Sequence, residues 1–180
     1  MELIVVKTGT ELSEDEIIQI NQAIAGEFKA APVDKEKLRK TLFFLLVSDR
    51  KILAMGGLVP VEPVSFQGEL FSIMGIGGIV ANEKGKGYGK KVMATIINYL
   101  SKYDKTGVGF CTMRNKAFYE KCGLKVNSEG IKRFVFKNGE KAITNEGDDC
   151  VIFYEGLDNF MKKVLSVPDQ EVILPRKPDW

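Results

Sequence analysis

The apolar residues of this chain change their spacing repeatedly, and each change marks an element. "ELIVV" (2–6) is an apolar run of strand length, followed by Ile17, Ile18, Ile20, Ala23, Ile24 and Phe28, which recur on one face of a helix. Ser13 with Glu16 three residues later forms a capping box, so this helix is predicted to start near residue 14. "AAPVD" interrupts, 34–41 offers a second short helix, and "TLFFLLVSD" returns to strand composition. A turn at Asp49 to Lys51 leads into "ILAMGGLVPVEP", and the two stretches read as an antiparallel hairpin. "ELFSIMGIGGIVA" (69–81) continues the sheet, and its Gly75, Gly77 and Gly78 weaken a strand while letting another backbone or a ligand come close. Val92, Met93, Ile96, Ile97 and Leu100 then recur at helical spacing. A short strand (108–111), a short helix (about 115–122), strands at 133–137 and 150–154, and a last helix at 157–166 complete the pattern. In "VILPRKPDW", Pro175 and Pro178 fix φ and remove backbone donors, so this tail is expected to lack regular structure.

No repeat and no Pro/Ser-rich linker divides the 180 residues, of which 44% are hydrophobic. A single domain spanning 1–180 is expected, with 157–180 as its C-terminal helix and tail. The formal charge of +2, from 26 basic and 24 acidic residues, gives no global attraction to nucleic acid. The N-terminal residues lack the order of a signal peptide, and the longest dense apolar run, "LFFLLV" (42–47), is too short to cross a bilayer. A cytoplasmic protein with no membrane and no nucleic-acid partner is the expectation. Histidine is absent, which removes Ser-His, Cys-His and histidine-ligated metal chemistry. Cys111, Cys122 and Cys150 show neither a disulfide framework nor metal-ligand spacing, so they are expected to serve as buried small apolar side chains, and no metal is expected.

The chemistry-bearing stretch is "NEKGKGYGKKVM" (82–93), a glycine- and lysine-rich loop running from a strand into a helix. Free N–H groups and the dipole at a helix N-terminus attract anions, phosphate above all. Lys84, Lys86, Lys90 and Lys91 add positive charge, and Gly85, Gly87 and Gly89 let the backbone turn tightly. A Walker A loop is excluded, because Lys84 stands where its first glycine must be and Lys91 where Ser or Thr must be. A dinucleotide fingerprint is excluded too: counting from Gly85 its last glycine falls on Lys90, and from Gly75 on Val80. By itself the loop leaves an anion site and a plain solvated turn both open.

Some thirty residues on stands "RNKAFYEKCGL" (114–124), and together with "KGKGYGKKVM" it resembles the GCN5-related N-acetyltransferase superfamily. That family's signature is Arg or Gln, two residues, Gly, one residue, then Gly or Ala. Lys84, Gly87 and Gly89 occupy these places, with Lys84 the departure. Phe118, Tyr119, Glu120, Lys121, Gly123 and Leu124 match the later motif. The likeness covers about 42–126. It implies an α/β (α+β) fold with a mixed, mostly antiparallel central sheet flanked by helices, and an enzyme with acetyl-CoA as co-substrate. It further implies that Lys84, Gly85, Lys86, Gly87, Tyr88, Gly89 and Lys90 hold the pyrophosphate and that Gly77, Gly78, Ile79 and Val80 lie along the pantetheine and acceptor. A backbone N–H near Ile79 or Val80 then polarises the thioester carbonyl, Asn115 contacts the cofactor, and Tyr119 protonates the departing thiolate. The family's Asn usually lies further from the tyrosine, so a shortened helix is implied.

Relatives often carry a glutamate on the long strand, yet no acidic residue lies between Glu69 and Glu83. Glu69 acting through water, or water alone, is left as the base. "NGEKAITNEGDDCVIFY", "CTMRNKAFYEKCGL" and a chain ending in Trp near this length are together similar to the aminoglycoside 2′-N-acetyltransferase branch. Glu146, Asp148 and Asp149 are candidate carboxylates for a polycationic amine. Asp179 and Trp180, with its terminal carboxylate, are candidates for the acceptor side of the cleft. The resemblance thus implies transfer to a primary amine of a small molecule, aminoglycoside-like or otherwise. A peptide or polyamine acetyltransferase and a non-catalytic acyl-CoA-binding module remain open, and a homodimer is among the assemblies considered.

Overall fold

A computed structural model describes residues 1–33, 35–138, 141–144 and 147–176. The chain divides into two compact units, Met1–Val59 with Gly77–Ile96, and Pro60–Ile76 with Ile97–Trp180. Three long elements, Lys51–Phe66, Glu69–Ala81 and Tyr88–Lys102, run from one unit into the other.

In the first unit, β1 (Leu3–Thr8) is followed by α1 (Glu14–Phe28), α2 (Lys35–Arg39), β2 (Leu42–Ser48) and the start of β3 (Lys51–Phe66). β1, β2 and β3 form an antiparallel meander, with Leu3 opposite Val47 and Leu42 opposite Leu58. Asp49 and Arg50 both adopt positive φ (49° and 63°), the conformation that a two-residue hairpin turn of matching twist requires. Phe43, Phe44, Leu45 and Leu46 are all buried in succession, so β2 is covered on both faces, which is why its sequence is a continuous apolar run instead of an alternation. Ile20, Leu38, Phe43, Leu45, Ile52, Met55 and Val80 pack together as the core of this unit.

The predicted capping box closes α1: Ser13 N–H donates to Glu16 Oε2 at 2.8 Å, and Glu16 N–H to Ser13 Oγ at 3.3 Å. The same carboxylate receives Lys7 Nζ at 2.7 Å, joining α1 to β1. α3 (Tyr88–Lys102) packs on β3 at Gly56, where an added Cβ would fall 2.6 Å from Ile79 Cδ1 and 2.9 Å from Ile96 Cδ1.

The second unit holds the rest of β3, the start of β4 (Glu69–Ala81), β5 (Gly107–Cys111), α4 (Lys116–Lys121), β6 (Lys125–Asn127), β7 (Phe134–Asn138), β8 (Lys141–Thr144), β9 (Cys150–Tyr154), α5 (Phe160–Ser166) and β10 (Val172–Leu174). Its strands lie in the order β6-β9-β5-β4-β3-β10-β7-β8. Gln67 and Gly68, at φ 51° and 79°, make the tight turn from β3 into β4. β4 pairs with β5 in parallel, Met74 to Ile76 against Gly107 to Gly109, and β10 with β7 in parallel, whereas the β5–β9, β6–β9, β3–β10 and β7–β8 pairs are antiparallel. The fold is therefore the expected mixed, mostly antiparallel sheet with flanking helices. Phe66, Phe71, Val108, Phe134, Phe153, Phe160 and Val172 stand in the second core.

The tail corrects one expectation. Val172 to Leu174 form β10, parallel to β7, because both prolines lie beyond the three residues that pair. β6 and β8, three and four residues long, are also additional to the sequence reading, and α5 begins at Phe160 instead of residue 157. Among the described residues no helix is long and apolar enough to cross a membrane.

Burial pushes the Glu16 carboxyl upward, but the hydrogen bonds from Lys7 and Ser13 outweigh it and hold Glu16 below the ordinary 4.5. A depressed acid stabilises the folded state above its unfolded pKa, and that contribution disappears as pH falls through the folded value. Glu16→Ala should cost about 1 kcal/mol at pH 7 in chemical denaturation, and the gap from the parent should narrow as the pH is lowered below 4.5.

Candidate functional site

β4 ends in an anchored corner. Asn82 N–H donates to Leu53 O at 2.9 Å and its side-chain Nδ2 to Ile52 O at 2.5 Å, which fixes the start of the glycine/lysine loop against β3. The loop then turns through Gly85 (φ 80°) and Gly87 (φ 76°), both in the left-handed region. A Cβ at either place would meet nothing within 4 Å, so the requirement for glycine is conformational and not one of space. Lys91 N–H donates to Gly87 O at 3.2 Å and closes the first turn of α3. Tyr88, Gly89 and Lys90 therefore form that first turn, where N–H groups have no partner within the helix. No acidic residue occupies it, so the positive end of the dipole is not neutralised from within. Gly89, read from sequence as part of the loop, is already helical.

The lysines are less uniform than their spacing suggests. Lys84 Nζ lies 2.7 Å from Glu27 Oε2 on α1, and Lys91 Nζ pairs with Glu2 and sits 5.8 Å above the Tyr88 ring. The hydrogen bond from Lys91 holds the Glu2 carboxyl below its ordinary pKa, while desolvation, together with Glu2 and Glu83, pushes the Tyr88 hydroxyl up. Glu2 and Glu27 carried no sequence signal, since each meets its lysine across many intervening residues. Upstream, Gly78 takes φ 61° near the C-terminal end of β4, Val80 is buried in the core of the first unit, and Gly77 and Ile79 are half-buried.

The second unit holds the other candidates. Thr112 leaves β5 into a 3₁₀ turn, Met113–Asn115, which runs directly into α4. α4 is only six residues long, the shortened helix implied by the spacing of Asn115 and Tyr119. Asn115 is exposed at its N-cap and makes no side-chain capping bond. Tyr119 is buried, 9% exposed, with its ring edge-on to Phe118 at 5.0 Å. Cys122 and Leu124 N–H groups both donate to Tyr119 O at 3.1 Å, and Gly123 (φ 96°) turns the chain away, so the motif residues after the tyrosine fix its backbone. Thr112 Oγ1, not singled out by the sequence, is buried without a hydrogen-bond partner.

Asp149 Oδ2 accepts the Met113 N–H at 2.8 Å, and Asp149 N–H donates to Cys111 O at 3.0 Å, so this carboxylate braces the turn before α4. Asp148 is half-buried beside Cys111. Burial, with Cys150 and Asp148 adding to it, pushes the Cys111 thiol up to about 12. Cys150 is raised as well, chiefly by burial. Glu69 opens β4 at the hairpin turn, and Lys163 Nζ lies 2.5 Å from its Oε2. Glu146, Asp179 and Trp180 lie outside the described residues.

No family model and no curated protein matches the chain by sequence. Solved structures match it in fold. Escherichia coli ElaA aligns with a TM-score of 0.62 at 16% identity, covering 86% of this chain and 100% of that one. A Bacillus subtilis acetyltransferase in complex with CoA gives 0.56 at 16%, over 87% and 99%. The chain has the GCN5-related N-acetyltransferase fold. Against a probable N-acyltransferase from Enterococcus faecalis the TM-score is 0.55 at 16% identity, over 69% of this chain and 32% of that one, so the chain spans about a third of that protein. In this chain the loop after β4 turns at Gly85 and Gly87 with positive φ, which only residues tolerant of the left-handed region can adopt. Gly87→Ala should therefore destabilise the chain by about 1 kcal/mol through backbone strain alone, measured by urea unfolding, because the open space around it rules out a steric cost.

Proposed function

We propose that the chain is an N-acetyltransferase that moves an acetyl group from acetyl-CoA to a primary amine of a small molecule. The observation that carries this reading is the turn at Gly85 and Gly87, which delivers an acid-free helix N-terminus directly from a strand, on a fold shared with a CoA-bound acetyltransferase. Amides of residues 85–90 take the pyrophosphate, supplemented by Lys86 and Lys90, and the end of β4 at Ile79 and Val80 offers backbone groups to the pantetheine and the thioester carbonyl.

In the reaction the neutral amine attacks the thioester carbon, and a backbone N–H of Ile79 or Val80 supports the charge on its oxygen. Collapse breaks the carbon–sulfur bond, and the Tyr119 hydroxyl gives the thiolate its proton. Tyrosine suits this role because its ordinary pKa of about 10 keeps it protonated at neutral pH. Water, or Glu69 through water, takes the amine proton, Glu69 being paired with Lys163 at the hairpin turn, and a proton returned through water restores the Tyr119 hydroxyl. The acceptor we favour is an aminoglycoside-like polycation. The acidic sequence around Asp148 supports this choice, although Asp149 is already committed to Met113 N–H.

Two substitutions test the reading. Gly87→Asp places a negative charge where the pyrophosphate is to bind, and calorimetry should show CoA affinity reduced at least tenfold. An unchanged affinity in the folded variant rejects the loop as the site. Tyr119→Phe should keep CoA binding and lower turnover by about 10²- to 10⁴-fold, the range of a positioned acid. Parent-like turnover under chemistry-limited conditions leaves the tyrosine as a packing residue, and absence of turnover over a panel of aminoglycosides, polyamines and peptides makes the chain a binding module.

A further inference from the structure

Cys111 and Cys150 are direct partners in the antiparallel β5–β9 ladder. Directly opposed residues of such a ladder project to the same face, with Cα atoms about 4.5 or 5.5 Å apart according to the kind of pair. Both values fall within the window of roughly 4.4–6.8 Å that a disulfide spans. Both cysteines are buried, at 3% and 0% exposure, so neither side chain has to be recruited from solvent. Met113 Sδ lies 4.0 Å from Cys150 Sγ, and Met113 itself is 49% exposed, which gives a reagent a short way in once that side chain moves. Cys122, at the C-cap of α4, has no place in this ladder.

We propose that Cys111 and Cys150 form a reversible intramolecular disulfide by exchange with a small-molecule disulfide. One cysteine, as thiolate, attacks a sulfur of the small disulfide and releases the first small thiolate, which takes up the proton that the cysteine lost. The second cysteine, also as thiolate, then attacks the protein sulfur of the mixed disulfide and releases the second small thiol in the same way. One sulfur–sulfur bond is exchanged for another, two protons pass to the small thiols, and the two electrons lost by the cysteines reduce the reagent. The raised thiols keep the pair reduced and unreactive while the site is closed, so exchange passes through local opening at Met113 and Asp149. The bond closes a loop of roughly 40 residues, long enough for substantial restriction of the unfolded chain. It also ties the end of β5 immediately before the turn that leads to α4.

The reduced full-length chain, incubated under native conditions with oxidised glutathione and then denatured and alkylated, decides the matter. Expected are an intact mass lacking two hydrogens, a cross-linked peptide pair containing Cys111 and Cys150, alkylation of Cys122 alone, and a thermal midpoint raised on the order of 5–10 °C that returns with dithiothreitol. Alkylation of all three cysteines, a lasting glutathione adduct on Cys111 or Cys150, or a link that includes Cys122 overturns the proposal. Cys111→Ser and Cys150→Ala should each lose the internal link. The mass of the parent protein gives the answer even if neither variant folds, and it does so whether or not the chain transfers acetyl groups.

Discussion

The backbone must leave β4 and begin α3 within a few residues, and this constraint governs the first unit. A strand end and a helix start have incompatible dihedral angles, and the left-handed glycines at 85 and 87 reconcile them without strain. The reversal is useful only if both ends are fixed. Asn82 fixes the strand end through two hydrogen bonds to Ile52 and Leu53, and Gly56, having no side chain, lets Val92 and Ile96 of α3 close onto β3. The amides of Tyr88, Gly89 and Lys90 are thus held in place by packing, which is the preorganisation an anion site needs.

Charge plays a secondary part. Lys84 and Lys91 are already paired with Glu27 and Glu2, and exposed pairs of this kind contribute roughly 0–1 kcal/mol each. Such weak pairs hold long side chains in place without a large barrier to exchanging a carboxylate for a phosphate. In the site proposed above, the fixed amides set the place of an anion and the lysines add a screened, adjustable attraction.

Much of this was legible in the sequence because it depends on local rules. The Ser13/Glu16 capping box, the turn after Ser48, the long strand to Ala81 and the apolar stripe of α3 all follow from spacing, and each lies within a residue or two of its expected place. What could not be read depends on register. Val172 to Leu174 become a strand only because Phe134 to Phe136 offer an edge, and three residues carry no periodicity of their own. Lys163 reaching Glu69, Glu27 reaching Lys84 and the opposition of Cys111 and Cys150 are likewise consequences of which residue faces which across the fold. The candidate site was half legible on the same principle: the loop and the tyrosine motif are contiguous strings, while the groups that restrain them come from distant segments.

The segment from Cys111 to Tyr119 shows what that restraint achieves. A strand that passes into a single 3₁₀ turn and then a six-residue helix has too few internal hydrogen bonds to hold a side chain at a fixed place, since short helices are marginal in isolation. The needed bonds come from elsewhere: Asp149 grips Met113 N–H on one side and Cys111 O on the other, and Leu124 and Cys122 return their N–H groups to Tyr119 O. Tyr119 is therefore fixed from both ends, by the entry to β9 before it and by the turn at Gly123 after it. Thr112, between the two anchors, passes the chain from β5 into the 3₁₀ turn in an extended conformation, so the short segment is positioned by its neighbours and not by its own helix.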